Sequence, residues 1–149
     1  MIQFIKPKRP VARVFLHCTA SDANSLAYQG LNLVKTIDEW HKARNFDGIG
    51  YHYVIDKQGR VMNGRNLERV PAAQKGYNSG SIAICLHGLI ESKFRVEQRE
   101  ALLDLCKQIK SAYNGSITFH GHCEVDKFKT CPVVDYKKWL GLNAFGRMV

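Results

Sequence analysis

A buried strand is written into Ala12-Arg13-Val14-Phe15-Leu16-His17-Cys18: its apolar core is short and continuous, and His17 leaves its end. Ser81-Ile82-Ala83-Ile84-Cys85-Leu86 reads as a second buried strand of the same kind. Between them, Tyr51 to Asp56 alternates large and β-branched residues and reads as a strand. Lys57-Gln58-Gly59-Arg60 then forms a hairpin turn, and Val61-Met62 begins the return strand. Thr36-Ile37-Asp38-Glu39 has the spacing of a capping box, and Val34, Ile37, Trp40 and Arg44 share a face, which predicts a helix from about Ile37 to Arg44. The strongest helix runs from about Val96 to Tyr113, where Leu102, Leu105, Cys106, Ile109 and Tyr113 form a stripe at spacings of three and four. Ser116 to Phe119 reads as a short strand that delivers His120 and His122, and Asp135 to Leu140 as a short helix stopped by Gly141. Ser21 to Gly30 and Pro71 to Gly80 read as loops. Strands and helices alternate with one hairpin, so the expected class is α/β, a central mixed sheet flanked by helices.

A chain of 149 residues fits one domain, residues 1–149, with a core large enough to fold alone. Its 45% hydrophobic and 23% charged residues are those of a soluble globular protein. No apolar stretch approaches the roughly 20 residues that span a bilayer, which argues against membrane insertion. The N-terminal segment is basic but lacks an apolar stretch behind it, so no secretory signal is expected. Lys and Arg outnumber Asp and Glu by 22 to 13, giving a net charge of +9. That charge suits anionic partners, an acidic wall polymer among them, or solubility alone. The basic residues are spread along the chain, which argues against a dedicated nucleic-acid arm. Five cysteines without regular spacing point to reduced thiols rather than a disulfide framework.

Three residues stand out as metal ligands by type and place: His17 at a strand end, and His122 and Cys131, which frame His122-Cys123-Glu124-Val125-Asp126-Lys127-Phe128-Lys129-Thr130-Cys131-Pro132. Imidazole nitrogen and thiolate sulfur are preferred zinc ligands, and three protein ligands leave a fourth position open, as catalytic sites do. The same residues also suit a hydrogen-bonded core histidine and a small buried cysteine. Cys85 and Cys106 fall within apolar patterns and read as core. Cys18 and Cys123 adjoin candidate ligands and point away from them. His41 and His52 read as structural, and His120 as an alternative ligand or a partner that holds one.

Six motifs occur in order: Val14 to Ala20, Trp40-His41, Gly50-Tyr51-His52-Tyr53-Val54-Ile55, Lys75-Gly76-Tyr77-Asn78, Ser81 to Leu86, and His122 through Cys131-Pro132. Together they span nearly the whole chain and resemble the zinc N-acetylmuramoyl-L-alanine amidases, whose fold is shared with the peptidoglycan recognition proteins. The phage-lysozyme branch is the most similar. The resemblance implies zinc on His17, His122 and Cys131, and catalytic roles for Tyr51 and Lys129. It also implies substrate contacts at Lys75 and Asn78. Lys127 replaces Lys129 if the loop is shifted. With Lys129 toward the metal, Phe128 is expected to turn into the body of the protein. A carboxylate found in some relatives within the second buried strand is here Cys85. Two further departures, Ala73 where a histidine is common and His87 where a small residue is common, are expected beside the substrate groove.

The implied activity is zinc-dependent hydrolysis of the amide between N-acetylmuramic acid and L-alanine in bacterial peptidoglycan. The implied setting is a phage endolysin: a monomer made in the host cytoplasm that reaches the wall through a holin and lyses the host. Cytosolic wall-recycling amidases differ by using Asp where this chain has Cys131. A regulatory protein that only binds peptidoglycan or an RNA polymerase is the alternative from another class. Phage relatives imply a polymerase contact, whereas an intact ligand set favours an enzyme.

Overall fold

In the computed structural model, which describes residues 2–149, the first apolar run lies inside a five-stranded sheet. Strand β1 (Arg13–Cys18) needs apolar side chains on both faces because both faces are covered. The hairpin is β2 (Tyr53–Ile55) and β3 (Val61–Asn63). The second apolar run is β4 (Ser81–Leu86), and β5 is Thr118–Gly121. The order is β3-β2-β4-β1-β5, parallel except for the β2–β3 hairpin, so the sheet is mixed as expected.

Helix α2 (Val96–Ala112) covers one face. Its Leu102, Leu105, Cys106 and Ile109 pack with Val14, Leu16, Tyr53, Ile55, Ile82 and Ile84 in the main core. Helix α1 (Gly30–Ala43) covers the other face, where Leu33 and Ile37 meet Ile49, Val54 and Met62. Helix α3 (Tyr136–Leu140) starts at Asp135, whose side chain accepts from the Lys138 amide, and ends at Gly141, whose positive φ of 62° suits glycine.

Register places the site. Side chains alternate along a strand, so Val14 and Leu16 serve the α2 core while Phe15 and His17 face the opposite side. His17 is paired with Cys85, and Cys85 with Val54, so these three form a row across the sheet on the α1 side. His17 and Cys85 stand near the C-terminal ends of their parallel strands.

Helix α1 starts at Gly30, not near Ile37, and Thr36 is mid-helix, its hydroxyl donating to the Ala27 carbonyl at 2.6 Å. The true N-terminal partner is remote: the Gly30 amide donates to Asp56 Oδ2 at 2.9 Å. Asp56 is fully buried and also receives the Gln58 and Arg60 amides and Arg60 Nε. The segment read as a loop also holds a single 3₁₀ turn, Leu26–Tyr28. No helix among the described residues is long and apolar enough to cross a membrane.

Candidate active site

His17 is delivered by the end of β1 and is almost fully buried. Its Nε2 lies 2.8 Å from Gln74 Oε1. Burial, then the neighbouring His122, pushes its pKa down to about 3, so the ring is neutral at physiological pH and keeps a lone pair for a cation.

His122 follows β5 at the start of a 3₁₀ turn, His122–Glu124. Glu124 fixes that turn by accepting from the Gly121 amide at 2.9 Å, from the Tyr136 hydroxyl, and from His120 Nδ1 at 3.0 Å. Gly121 admits no side chain here, since a Cβ would lie 2.6 Å from Tyr136 Cε1. The His122 ring stands 4.6 Å from that of His17, centroid to centroid. Burial lowers its pKa, as does the charge of Lys129, while Asp126 acts the other way.

Cys131 comes from the loop that follows, tied back by the Cys123 amide donating to its carbonyl at 2.9 Å. Its sulfur accepts the Cys18 amide at 2.8 Å. The Cys18 thiol also meets Cys131, and that hydrogen bond draws Cys18 down to about 7 while holding Cys131 protonated and pushed up. A divalent cation reverses this order, because a coordinating thiol loses its proton.

The donor atoms of His17, His122 and Cys131 lie within 4.8 Å of one another, a group that could hold a metal ion. Tetrahedral zinc, with bonds near 2.0–2.1 Å to nitrogen and 2.3 Å to sulfur, needs donors about 3.3–3.6 Å apart, so a contraction of roughly an ångström closes the site. Two neutral imidazoles and a sulfur bonded by an amide are a fitting donor set for zinc. Cys18 touches this group without belonging to it, as Cys123 and His120 also stand outside. His120 is held instead between Glu124 and the Thr118 hydroxyl, 2.7 Å from its Nε2.

Tyr51 closes one side. Its ring lies 5.1 Å from His17 and 5.2 Å from His41. Burial raises its pKa well above that of free tyrosine, with further pressure from the thiols of Cys85, Cys131 and Cys18, so the hydroxyl stays protonated. Gly50 makes this placement possible: a Cβ there would lie 2.1 Å from the Ala72 carbonyl oxygen. His41 Nδ1 accepts the Gly50 amide at 2.8 Å, and His52 Nδ1 accepts the Ala83 amide at 3.1 Å, so both histidines are structural as expected.

Lys129 is exposed on the loop that leads to Cys131, close enough for its charge to act on His122. Lys127 lies instead over the Phe128 ring, 5.3 Å from its centroid and within cation–π reach. Phe128 does not turn inward as expected; it is 86% exposed. Asp126 is the reason, since its side chain accepts the Phe128 amide and its carbonyl the Lys129 amide, a tight turn that throws Phe128 outward.

Lys75 is exposed, and Asn78 Oδ1 accepts the amides of Ala73 and Gln74 at 3.0 and 2.9 Å, bracketing the loop. His87 lines no groove. It is buried, with Nδ1 2.8 Å from the Thr19 hydroxyl and Nε2 2.6 Å from the Ala23 carbonyl, and it stacks on Tyr28, fastening the chain that follows β1. Sequence reasoning missed Gln74, although it directly precedes Lys75 in a motif already singled out.

The family model for N-acetylmuramoyl-L-alanine amidase matches residues 7–133. The chain belongs to the N-acetylmuramoyl-L-alanine amidase family. It is thus a peptidoglycan amidase with the mixed-sheet fold of that family. The chain is 33% identical to the endolysin of Klebsiella phage KP32 over 148 residues, covering 95% of this chain and 93% of that protein. Among solved structures, N-acetylmuramoyl-L-alanine amidase LysC from Clostridium intestinale URNW superposes with a TM-score of 0.76 at 25% identity, covering 89% of this chain and 85% of that one. The ectodomain complex of peptidoglycan recognition proteins LCa and LCx bound to tracheal cytotoxin gives 0.72 at 26% identity, covering 85% and 78%.

Proposed function

We propose that the chain is a phage endolysin that cleaves the amide between N-acetylmuramic acid and L-alanine, with zinc held by His17, His122 and Cys131. The convergence of these three donors from β1, the turn after β5 and the following loop carries this reading. Zinc supplies a Lewis acid for the carbonyl and lowers the pKa of water to about 7. The protein's own groups do the rest. Tyr51, held protonated by burial, donates a hydrogen bond toward charge that develops on the carbonyl oxygen and, with water, relays to the leaving nitrogen the proton that the attacking water gives up, so that its own hydroxyl ends protonated. Cys85 fills the strand position beneath Tyr51 and offers no carboxylate there, which leaves the proton to Tyr51. Lys129 contributes a positive charge to the same developing anion. Lys75 and Asn78, on the loop beside the site, contact the substrate. The basic surface draws the protein to an anionic wall once it is released from the host cytoplasm.

Removal and return of the metal tests this. Dialysis against a chelator should abolish turnover of purified peptidoglycan, and one equivalent of zinc should restore it. Full turnover in chelated protein would exclude the reading.

A further inference from the structure

Gln74 is completely buried, and every polar atom of its side chain is engaged. Oε1 faces His17 Nε2 at 2.8 Å, while Nε2 donates to the Ser81 hydroxyl oxygen at 2.7 Å and to the Tyr77 carbonyl at 3.3 Å. The Ser81 hydroxyl proton is already committed to the Asn78 carbonyl at 2.8 Å. Ser81 can therefore only accept from Gln74, and a carbonyl at Tyr77 can only accept too. Turning the amide over would set Gln74 oxygen against the Tyr77 oxygen, so its orientation is fixed by partners outside the metal site. The position of Gln74 is fixed as well, since Asn78 Oδ1 holds its amide and the Tyr77 amide donates to its carbonyl at 2.9 Å.

We infer that Gln74 is a positioning residue that holds His17 as the Nε2–H tautomer and so presents Nδ1, with its lone pair, to the metal. A carbonyl oxygen can only accept, so the ring nitrogen facing it must carry the proton; the other nitrogen is then bare. A partner on the far nitrogen of a ligating histidine fixes ring orientation and raises basicity, and its loss typically costs about 10–100-fold in metal affinity. The role rests on the proposal that His17 is a zinc ligand. It is distinct from the Ala73 position next door, whose methyl group offers no hydrogen bond.

The test uses the full chain labelled with ¹⁵N at histidine, with Gln74→Leu and Gln74→Glu. In the unsubstituted protein, ring nitrogen shifts of His17 should report a proton on Nε2, with and without zinc, and that proton should exchange slowly with solvent. Gln74→Leu should lose the slow exchange and raise the zinc dissociation constant about 10–100-fold in chelator competition. Gln74→Glu, neutral in this buried site, keeps an acceptor for His17 and a donor for Ser81, and should recover the protected Nε2–H and most of the affinity. A purely structural Gln74 would leave the His17 tautomer and exchange unchanged. A proton on Nδ1 in the unsubstituted protein overturns the inference, even if Gln74→Leu fails to fold. So does Gln74→Leu binding zinc within twofold of normal. If the unsubstituted protein binds no zinc, it is the metal reading itself that fails.

Discussion

The backbone amide of Cys18 donates to Cys131 Sγ at 2.8 Å, so the strand that carries His17 also holds the sulfur from a loop 113 residues further on. This bond ties two of the three donors into one rigid unit. The Cys18 thiol and burial keep Cys131 protonated, and this amide bond acts the other way, stabilising negative charge on the sulfur once a cation displaces the proton.

Cys131→Ser should therefore lose most zinc affinity and nearly all turnover while the fold persists, since the loop keeps the Cys123 amide bond to its backbone. Cys131→Asp should keep some zinc, because carboxylate oxygen is also a good ligand. Metal content and circular dichroism of the two variants decide the matter. Normal zinc and turnover in Cys131→Ser would remove Cys131 from the ligand set.

Tyr51→Phe deletes only a hydroxyl beside His17. Zinc content should stay at one equivalent while kcat falls about 10²–10⁴-fold, the usual weight of a general acid–base group. A fall of less than threefold would make Tyr51 a packing residue between His17 and His41.

Lys129 and Lys127 should separate cleanly. The charge of Lys129 reaches His122, whereas Lys127 is drawn over Phe128. Lys129→Ala should lower kcat with zinc intact, as expected for a lost transition-state contact, and Lys127→Ala should be near normal. The reverse pattern would move the catalytic cation by two residues.

His52, which is not among the three candidate metal donors, gives a pH prediction. Burial pulls its folded pKa down to about 4 from the ordinary 6.5. The unfolded chain therefore binds a proton that the folded chain refuses between these values. Stability from this group is complete above pH 6.5 and is lost as pH falls toward 4, by about 2 kcal/mol between pH 7 and pH 5. Urea denaturation of the zinc-free protein at both pH values, with His52 titrated by NMR, checks the sign. A folded His52 that titrates near 6.5 would contradict it.

What could be read from the sequence depended on how local its cause was. β1, β4 and α2 were legible because burial acts on neighbouring residues, through a continuous apolar run or a stripe at helical spacing. The end of α3 was legible in Gly141 for the same reason. The start of α1 was not, because its partner Asp56 lies 26 residues away and nothing near Gly30 signals it. The outward turn of Phe128 followed from the side-chain and carbonyl contacts of Asp126, which apolarity alone does not reveal. The grouping of His17, His122 and Cys131 was legible only as an ordered set of motifs, since parallel pairing of β1 and β5 is what brings His17 and His122 together. Gln74 was hidden by its polarity: a glutamine in a loop gives no sign that folding will bury it against a histidine.

The most direct measurement is the chemistry of the products. Purified peptidoglycan digested by the zinc-loaded protein should yield new free L-alanine amino termini, in step with wall clearing and without new reducing sugar ends. New reducing ends without new amino termini would show a glycosidase and contradict the account.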